Sequence, residues 1–148
     1  MNKVDKINTF FSSQSFAITG VSRDERKFGR MVYDAFVKQG KKVIPVNPNV
    51  DSFNEIKVYP SVNDLPAEVD AIVILNNRDK SQAIIDQAVS KGIRNIWIQQ
   101  KSEPAGYKPD LAGAEYNIIT NECVFMWSEP VTGVHKFHRF LKRLFSKN

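Results

Sequence analysis

The chain has 148 residues, 42% hydrophobic and 25% charged, enough for one ordinary globular domain that needs no metal or disulfide staple. A single cysteine, Cys123, excludes an intrachain disulfide, and no apolar run nears the ~18 residues of a membrane span, so a cytoplasmic protein with no membrane span is expected. The net charge of +5 sits in the tail: Lys136, Arg139, Lys142, Arg143 and Lys147 come with no acid after Gly133, and without these five the chain has 16 basic against 16 acidic residues, which argues against a nucleic-acid-binding face.

In chain order, an amphipathic helix is expected over 1–12, through Val4, Ile7, Phe10 and Phe11. A short buried strand over 15–19 ends at Gly20. A polar loop over 21–28 leads to a helix over 29–39, with Met31, Val32, Ala35 and Phe36 on its apolar side and Gly40 as its cap. The second strand, 42–46, stops at the turn sequence Asn47-Pro48-Asn49. An irregular connection over 51–66 follows, with a helical turn near 61–65. The third strand, 70–75, is a continuous apolar run, as a strand covered on both faces shows. A helix over 79–91 turns Ala83, Ile84, Ala88 and Val89 inward and is capped by Gly92. Then come a strand over 95–98, a helix over 106–115 whose start Pro109 restricts, a strand over 116–120 and a basic helix over 132–146.

Strands alternating with helices imply right-handed crossovers and a parallel sheet. The expected class is α/β: a three-layer, Rossmann-like fold with a mainly parallel five-stranded sheet and helices on both faces, in a single domain over 1–148. Ligands of such sheets bind beyond the carboxyl ends of the strands. The loops after Thr19, Val46, Leu75, Ile98 and Thr120 are therefore the places to search.

The loop from Gly20 to Gly29 is the most informative. Gly20 lets the backbone turn away from the strand, and Gly29 lets a ligand or strand approach the start of the helix. A helix N-terminus suits phosphate, because its amides lack intrahelical partners and carry about half a positive charge. Ser22 adds a hydroxyl. Arg23, Arg26 and Lys27 add mobile positive charge, offset in part by Asp24 and Glu25. Two glycines needed only for the turn remain an alternative. The dinucleotide fingerprint G-x-G-x-x-G is absent, and the second strand ends in Val46-Asn47-Pro48 without the acid that binds ribose hydroxyls in NAD enzymes.

The stretch Phe16-Ala17-Ile18-Thr19-Gly20-Val21-Ser22-Arg23, then Lys27-Phe28-Gly29, then Val43-Ile44-Pro45-Val46-Asn47-Pro48, resembles the CoA-binding domain family. That family includes small stand-alone CoA-binding proteins and the nucleotide-fold domain of succinyl-CoA-synthetase-like and ADP-forming acyl-CoA synthetases. The resemblance covers about residues 16 to 124. It implies a phosphate site at Gly20, Val21, Ser22, Arg23, Lys27, Phe28 and Gly29. It implies an adenosine end at Val46, Asn47 and Pro48, and a pantetheine path along Asn76, Asn77 and Arg78. An exposed surface arginine is an equal reading of Arg78, and a cap of the turn before Pro48 is an equal reading of Asn47.

Cys123 has two readings, a thiol-exchange site at the ligand's thiol end or a small buried apolar residue, and the second is favoured. His135 and His138, three apart, have no acidic or cysteine companion in their helix and read as a surface pair, with no metal expected. The basic helix reads as a packed helix with a solvated side, in preference to membrane-surface or nucleic-acid contact, or as cover for a homodimer or protein partner through Phe140 and Phe145. The function expected is a CoA or acyl-CoA carrier, sensor or regulator without catalysis of its own. The alternatives are a small enzyme using NAD(P) or a nucleotide, and a regulatory protein whose pocket binds nothing.

Overall fold

In the computed structural model, residues 2–109, 113 and 115–128 are described. Helix α1 (Lys3–Phe11) starts at Asn2, whose Oδ1 accepts a hydrogen bond from the Asp5 amide at 2.9 Å. The elements that follow are β1 (Ser15–Thr19), α2 (Phe28–Lys38), β2 (Lys42–Val46), β3 (Ser52–Phe53), β4 (Ile56–Lys57), a 3-10 turn (Val62–Asp64), β5 (Ala71–Ile74), α3 (Arg78–Ser90), β6 (Asn95–Gln99), β7 (Asn117–Glu122) and α4 (Val124–Ser128).

Five strands form one parallel sheet in the order β2-β1-β5-β6-β7. Along each strand the side chains alternate between two cores, as the two-residue period of a strand requires. Phe16, Ile18, Val73, Trp97 and Ile119 face α1, α2 and α4, together with Ile7, Phe10, Val32 and Phe36. Ala17, Ile72, Ile74, Ile96, Ile98 and Ile118 face α3 and the 3-10 turn, with Ile85, Ala88, Val62 and Leu65. Helices thus cover both faces, and the expected α/β Rossmann-like fold is the one observed. The first core is aromatic: the Phe10 ring lies 5.2 Å from Trp97 and 5.5 Å from Phe16, edge-on, and Phe16 lies 5.5 Å from Phe36. Pro45 lacks an amide donor and sits in β2, an edge strand, where the missing donor is tolerated.

The connection expected to be irregular contains the β3–β4 hairpin, whose central residues Asn54 and Glu55 have φ of 49° and 64°. Positive φ at both positions suits a tight two-residue hairpin. These strands are only two residues long, too short for a periodicity signal. In α3 the buried residues are Ser81, Ile85 and Ala88, and Ala83 is exposed. The expected inward face is therefore rotated, because the fully buried Ser81 donates to the Asn77 carbonyl at 3.2 Å and fits the sheet without an apolar side chain. Residues 106–108 are turn and coil rather than helix, and the remainder of that expected helix falls largely outside the described residues. Strand β7 starts one residue later than expected and runs on to Glu122. Helix α4 is additional, and the basic helix over 132–146, with His135 and His138, lies outside the described residues.

Phe10 is fully buried between Trp97 and Phe16 and ties α1 to the sheet. Phe10→Ala is expected to lower the unfolding free energy by about 3–5 kcal/mol. Guanidinium denaturation checks this, with the slope unchanged if α1 stays docked.

Candidate functional site

Counting only the strands of the main sheet, their order is 2-1-3-4-5, which reverses between β1 and β5. The crevice at that reversal, beyond the carboxyl ends, is the expected ligand position in this topology. Thr19 ties the two strands there: its hydroxyl donates to the Val73 carbonyl at 3.4 Å and accepts from the Leu75 amide at 3.2 Å. Gly20 follows with φ 72°, and its amide donates to the Val46 carbonyl at 3.0 Å. A Cβ on Gly20 would lie 3.5 Å from the Leu75 carbonyl oxygen and 3.6 Å from Asn76 Oδ1. Gly20 and Asn76 therefore meet across the reversal.

Of the two approaches the sequence allowed at Gly29, by a ligand or by a strand, the structure shows that of the strand. A Cβ at Gly29 would lie 2.2 Å from the Gly20 carbonyl oxygen. The missing side chain lets the first turn of α2 rest directly on the backbone at the end of β1. Lys27 occupies the N-cap position and supplies no side-chain cap. The first turn of α2 thus lacks the internal acceptor that Ser, Thr, Asp or Asn would provide.

Most of the loop's charge is committed internally rather than mobile. Asp24 accepts from Arg26 through both oxygens, Nε to Oδ1 at 3.0 Å and an end nitrogen to Oδ2 at 3.1 Å. That pair, with the Arg26 amide also donating to Asp24, holds the Asp24 carboxyl down at about 2. Arg23 donates through Nε to the Ser52 carbonyl on the hairpin at 3.1 Å. Arg30, which the sequence reading did not single out, is only 5% exposed. It donates to the Arg23 carbonyl at 3.0 Å, pairs with Asp34 at 3.0 Å and stacks 4.2 Å from the Phe53 ring centroid. It lies one turn into a helix read as amphipathic, where an arginine passes for a solvated residue. Lys27 is exposed and forms no ion pair among the described residues.

Some expected site residues pack their side chains against the cores. Val21 is buried in the first core and Val46 in the second. The half-buried Phe28 ring lies 6.4 Å from Phe125. Ser22 accepts from the Asp24 amide at 3.0 Å, which leaves its hydroxyl proton for an external acceptor. Asn47 uses both ends of its amide: Nδ2 donates to the Val21 carbonyl at 2.8 Å and Oδ1 accepts from the Asn49 amide at 2.9 Å. It caps the turn and ties the loops after β1 and β2 together. Pro48 is exposed beside it. Asn76 Oδ1 is buried without a hydrogen-bond partner, the kind of orphaned acceptor that a ligand donor can satisfy once the side chain turns. Asn77 is the N-cap of α3. The exposed Arg78 lines a cleft of about 240 Å³ with Glu103, Thr120 and Asn121, at the carboxyl ends of β6 and β7.

A larger cavity, about 560 Å³, lies between α3 and the loop at Tyr107 and contains none of the expected site residues. Its size does not make it the better candidate, because ligands of sheets with this topology are expected at the strand reversal. Cys123 is 5% exposed and packs in the first core, the placement of a small apolar residue. Among the described residues no group of His, Cys, Asp and Glu could hold a metal, and no helix is long and apolar enough to cross a membrane.

Residues 14–128 match the family model described as CoA binding domain. The alpha subunit of ADP-forming acetate–CoA ligase II from Pyrococcus furiosus is 33% identical over 94 residues, 62% of this chain and 20% of the ligase subunit. The ADP-forming acetate–CoA ligase II of Archaeoglobus fulgidus is 31% identical over 116 residues, 76% of this chain and 17% of the ligase. The chain thus spans a fifth or less of these curated relatives. Among solved structures, a conserved hypothetical protein from Pyrococcus furiosus superposes with TM-score 0.70 at 28% identity, over 76% of this chain and 97% of that one. The apo form of the dinucleotide-forming acetyl-coenzyme A synthetase 1 of Ca. Korarchaeum cryptofilum superposes with TM-score 0.53 at 32% identity, over 57% of this chain and 19% of that one.

Gly29→Ala must force α2 away from β1, and the expected loss is about 1–3 kcal/mol, read as a lowered thermal midpoint. The Asp24 carboxyl should titrate near 2 by carbon-detected NMR, and Arg26→Ala should return it toward 3.8. Because its folded value is depressed, the ordering contributed by this pair is present above about pH 4 and lost as pH falls through about 2.

Proposed function

The chain belongs to the CoA binding domain family, and on that premise we propose that it binds coenzyme A or an acyl-CoA at the strand reversal without catalysing a reaction of its own. The observation that carries this reading is the meeting of Gly20 and Asn76 across the reversal, beneath a helix start that no side chain caps. The first turn of α2, the Ser22 hydroxyl and Lys27 would take the phosphates, which accept hydrogen bonds and carry negative charge. The exposed Pro48 offers a flat apolar surface for an adenine face. Asn76 Oδ1 needs a donor, and a pantetheine arm supplies amide N–H groups, whereas a phosphate supplies none. Arg78 and the cleft beside it continue the path toward the thiol end.

Coenzyme A, when bound, would supply a thiol that carries acyl groups. The ligase activity in the relatives' names belongs to proteins roughly three to five times this length, so the role proposed here is carriage, sensing or regulation, exerted through a protein partner or a second copy. The nicotinamide alternative lacks support, since Asn47 stands where an acid would bind the ribose and its amide is already engaged.

Calorimetry and thermal denaturation with CoA, acetyl-CoA, NAD, NADP and ATP test the reading. Micromolar CoA affinity at millimolar ligand stabilises by about 4 kcal/mol, a shift of roughly 10 °C. A preference for a nicotinamide, or no shift with any of the five, overturns it. Asn76→Leu is expected to leave the ligand-free protein as stable or more stable, because it removes an unpaired buried acceptor, while weakening CoA binding about tenfold. Unchanged affinity would remove Asn76 from the site.

A further inference from the structure

The end of β2 lacks a group to read the ribose. In doubly wound sheets an acid at that position holds the free ribose hydroxyls, and a nearby arginine accommodates a phosphate there instead. Here the position is Asn47, with both ends of its amide committed to Val21 and Asn49. Four cations lie in or beside the phosphate loop. Arg26 is held by Asp24 through two nitrogens. Arg30 is buried and holds Asp34 and the Arg23 carbonyl. Lys27 stands at the start of α2.

Arg23 is different. Its carbonyl is fixed by Arg30, and its Nε donates to Ser52 at 3.1 Å. Ser52 belongs to the hairpin that begins just after the Asn47 turn. The side chain therefore spans from the loop after β1 to the segment after β2, across the mouth where the ribose belongs. Only the inner Nε is used in that bond, and no carboxylate pairs with Arg23 among the described residues. A guanidinium anchored this way keeps its two terminal nitrogens available as a fork, the geometry that matches a phosphate.

We propose that Arg23 reads the phosphate on the ribose 3′ position and so makes this chain select phosphorylated coenzyme A over its dephospho form. The selection rests on the CoA reading above. The phosphate loop itself would grip the pyrophosphate common to both compounds, and Arg23 adds the discrimination. The Asp24–Arg26 pair keeps the neighbouring acid and its own arginine out of that task.

Isothermal titration of the full chain with CoA and with dephospho-CoA tests this, for the wild type, Arg23→Gln and Arg23→Lys, with Lys42→Gln as a control for net charge. The wild type and the control should bind CoA about 10- to 100-fold more tightly than dephospho-CoA. Arg23→Gln should lose that preference through weaker CoA binding, with dephospho-CoA affinity unchanged, and Arg23→Lys should keep part of it. Equal wild-type affinity for the two compounds overturns the role of Arg23 and leaves the CoA reading standing. Equal weakening of both by Arg23→Gln also overturns it, since Arg23 would then serve the common part of the ligand. Failure of the wild type to bind either compound overturns the CoA reading itself.

Discussion

The first turn of α2 sits so close to the end of β1 that a single added carbon at Gly29 would overlap the Gly20 carbonyl, 2.2 Å away. That contact sets the position of everything around the crevice. It places the open end of the helix over the strand reversal. It requires the chain to leave β1 through a left-handed residue, met by Gly20 at φ 72°. It leaves the loop between the two glycines with no regular structure, so the loop must be held by side chains. Backbone contact of this kind cannot relax by rotating a rotamer, which is why glycine is needed at 29, while at 20 it is the left-handed φ that favours glycine.

The side chains that hold the loop are charged, and they act on backbone carbonyls as well as on one another. Arg30 reaches back to the Arg23 carbonyl, Asp24 clasps Arg26, and Arg23 crosses to the hairpin. On the other flank Asn47 clamps the Val21 carbonyl. The loop is thus fixed before any ligand arrives, which reduces the entropy lost on binding. Pre-organisation also divides labour among the cations: those bonded internally shape the loop, while Lys27 and the outer end of Arg23 remain directed at solvent.

Much of the fold was legible because the strands are short, apolar and covered on both sides. The segments 15–19 and 42–46 read directly, and the strand read over 70–75 is observed as Ala71–Ile74, one residue shorter at each end. The hairpin at Ser52–Lys57 was not legible, since two-residue strands show no period and the turn Asn54-Glu55 lacks the usual glycine. The face of α3 was misjudged at Ala83 because a buried serine bonded to its own helix replaces an expected apolar contact. Within the crevice, glycines and motif residues were visible, but Arg30 was not. Nothing in the spacing of an arginine one turn into an amphipathic helix distinguishes a buried anchor from a solvated charge.

By itself the sequence determined the class of fold and the chain order of the five main-sheet strands and of helices α1 to α3, and it singled out the loop expected to hold a phosphate, because these follow from local periodicity and from glycines at a strand end. It also determined that the second strand ends without an acid. Only the tertiary structure decided what each loop residue does. It decided between ligand and strand at Gly29 in favour of a contact with the strand's backbone, and made Asn47 a clamp and the apparently mobile arginines a fixed frame. Those assignments depend on which carbonyls and carboxylates other segments bring within three ångströms, and neighbours distant in sequence leave no mark in local pattern.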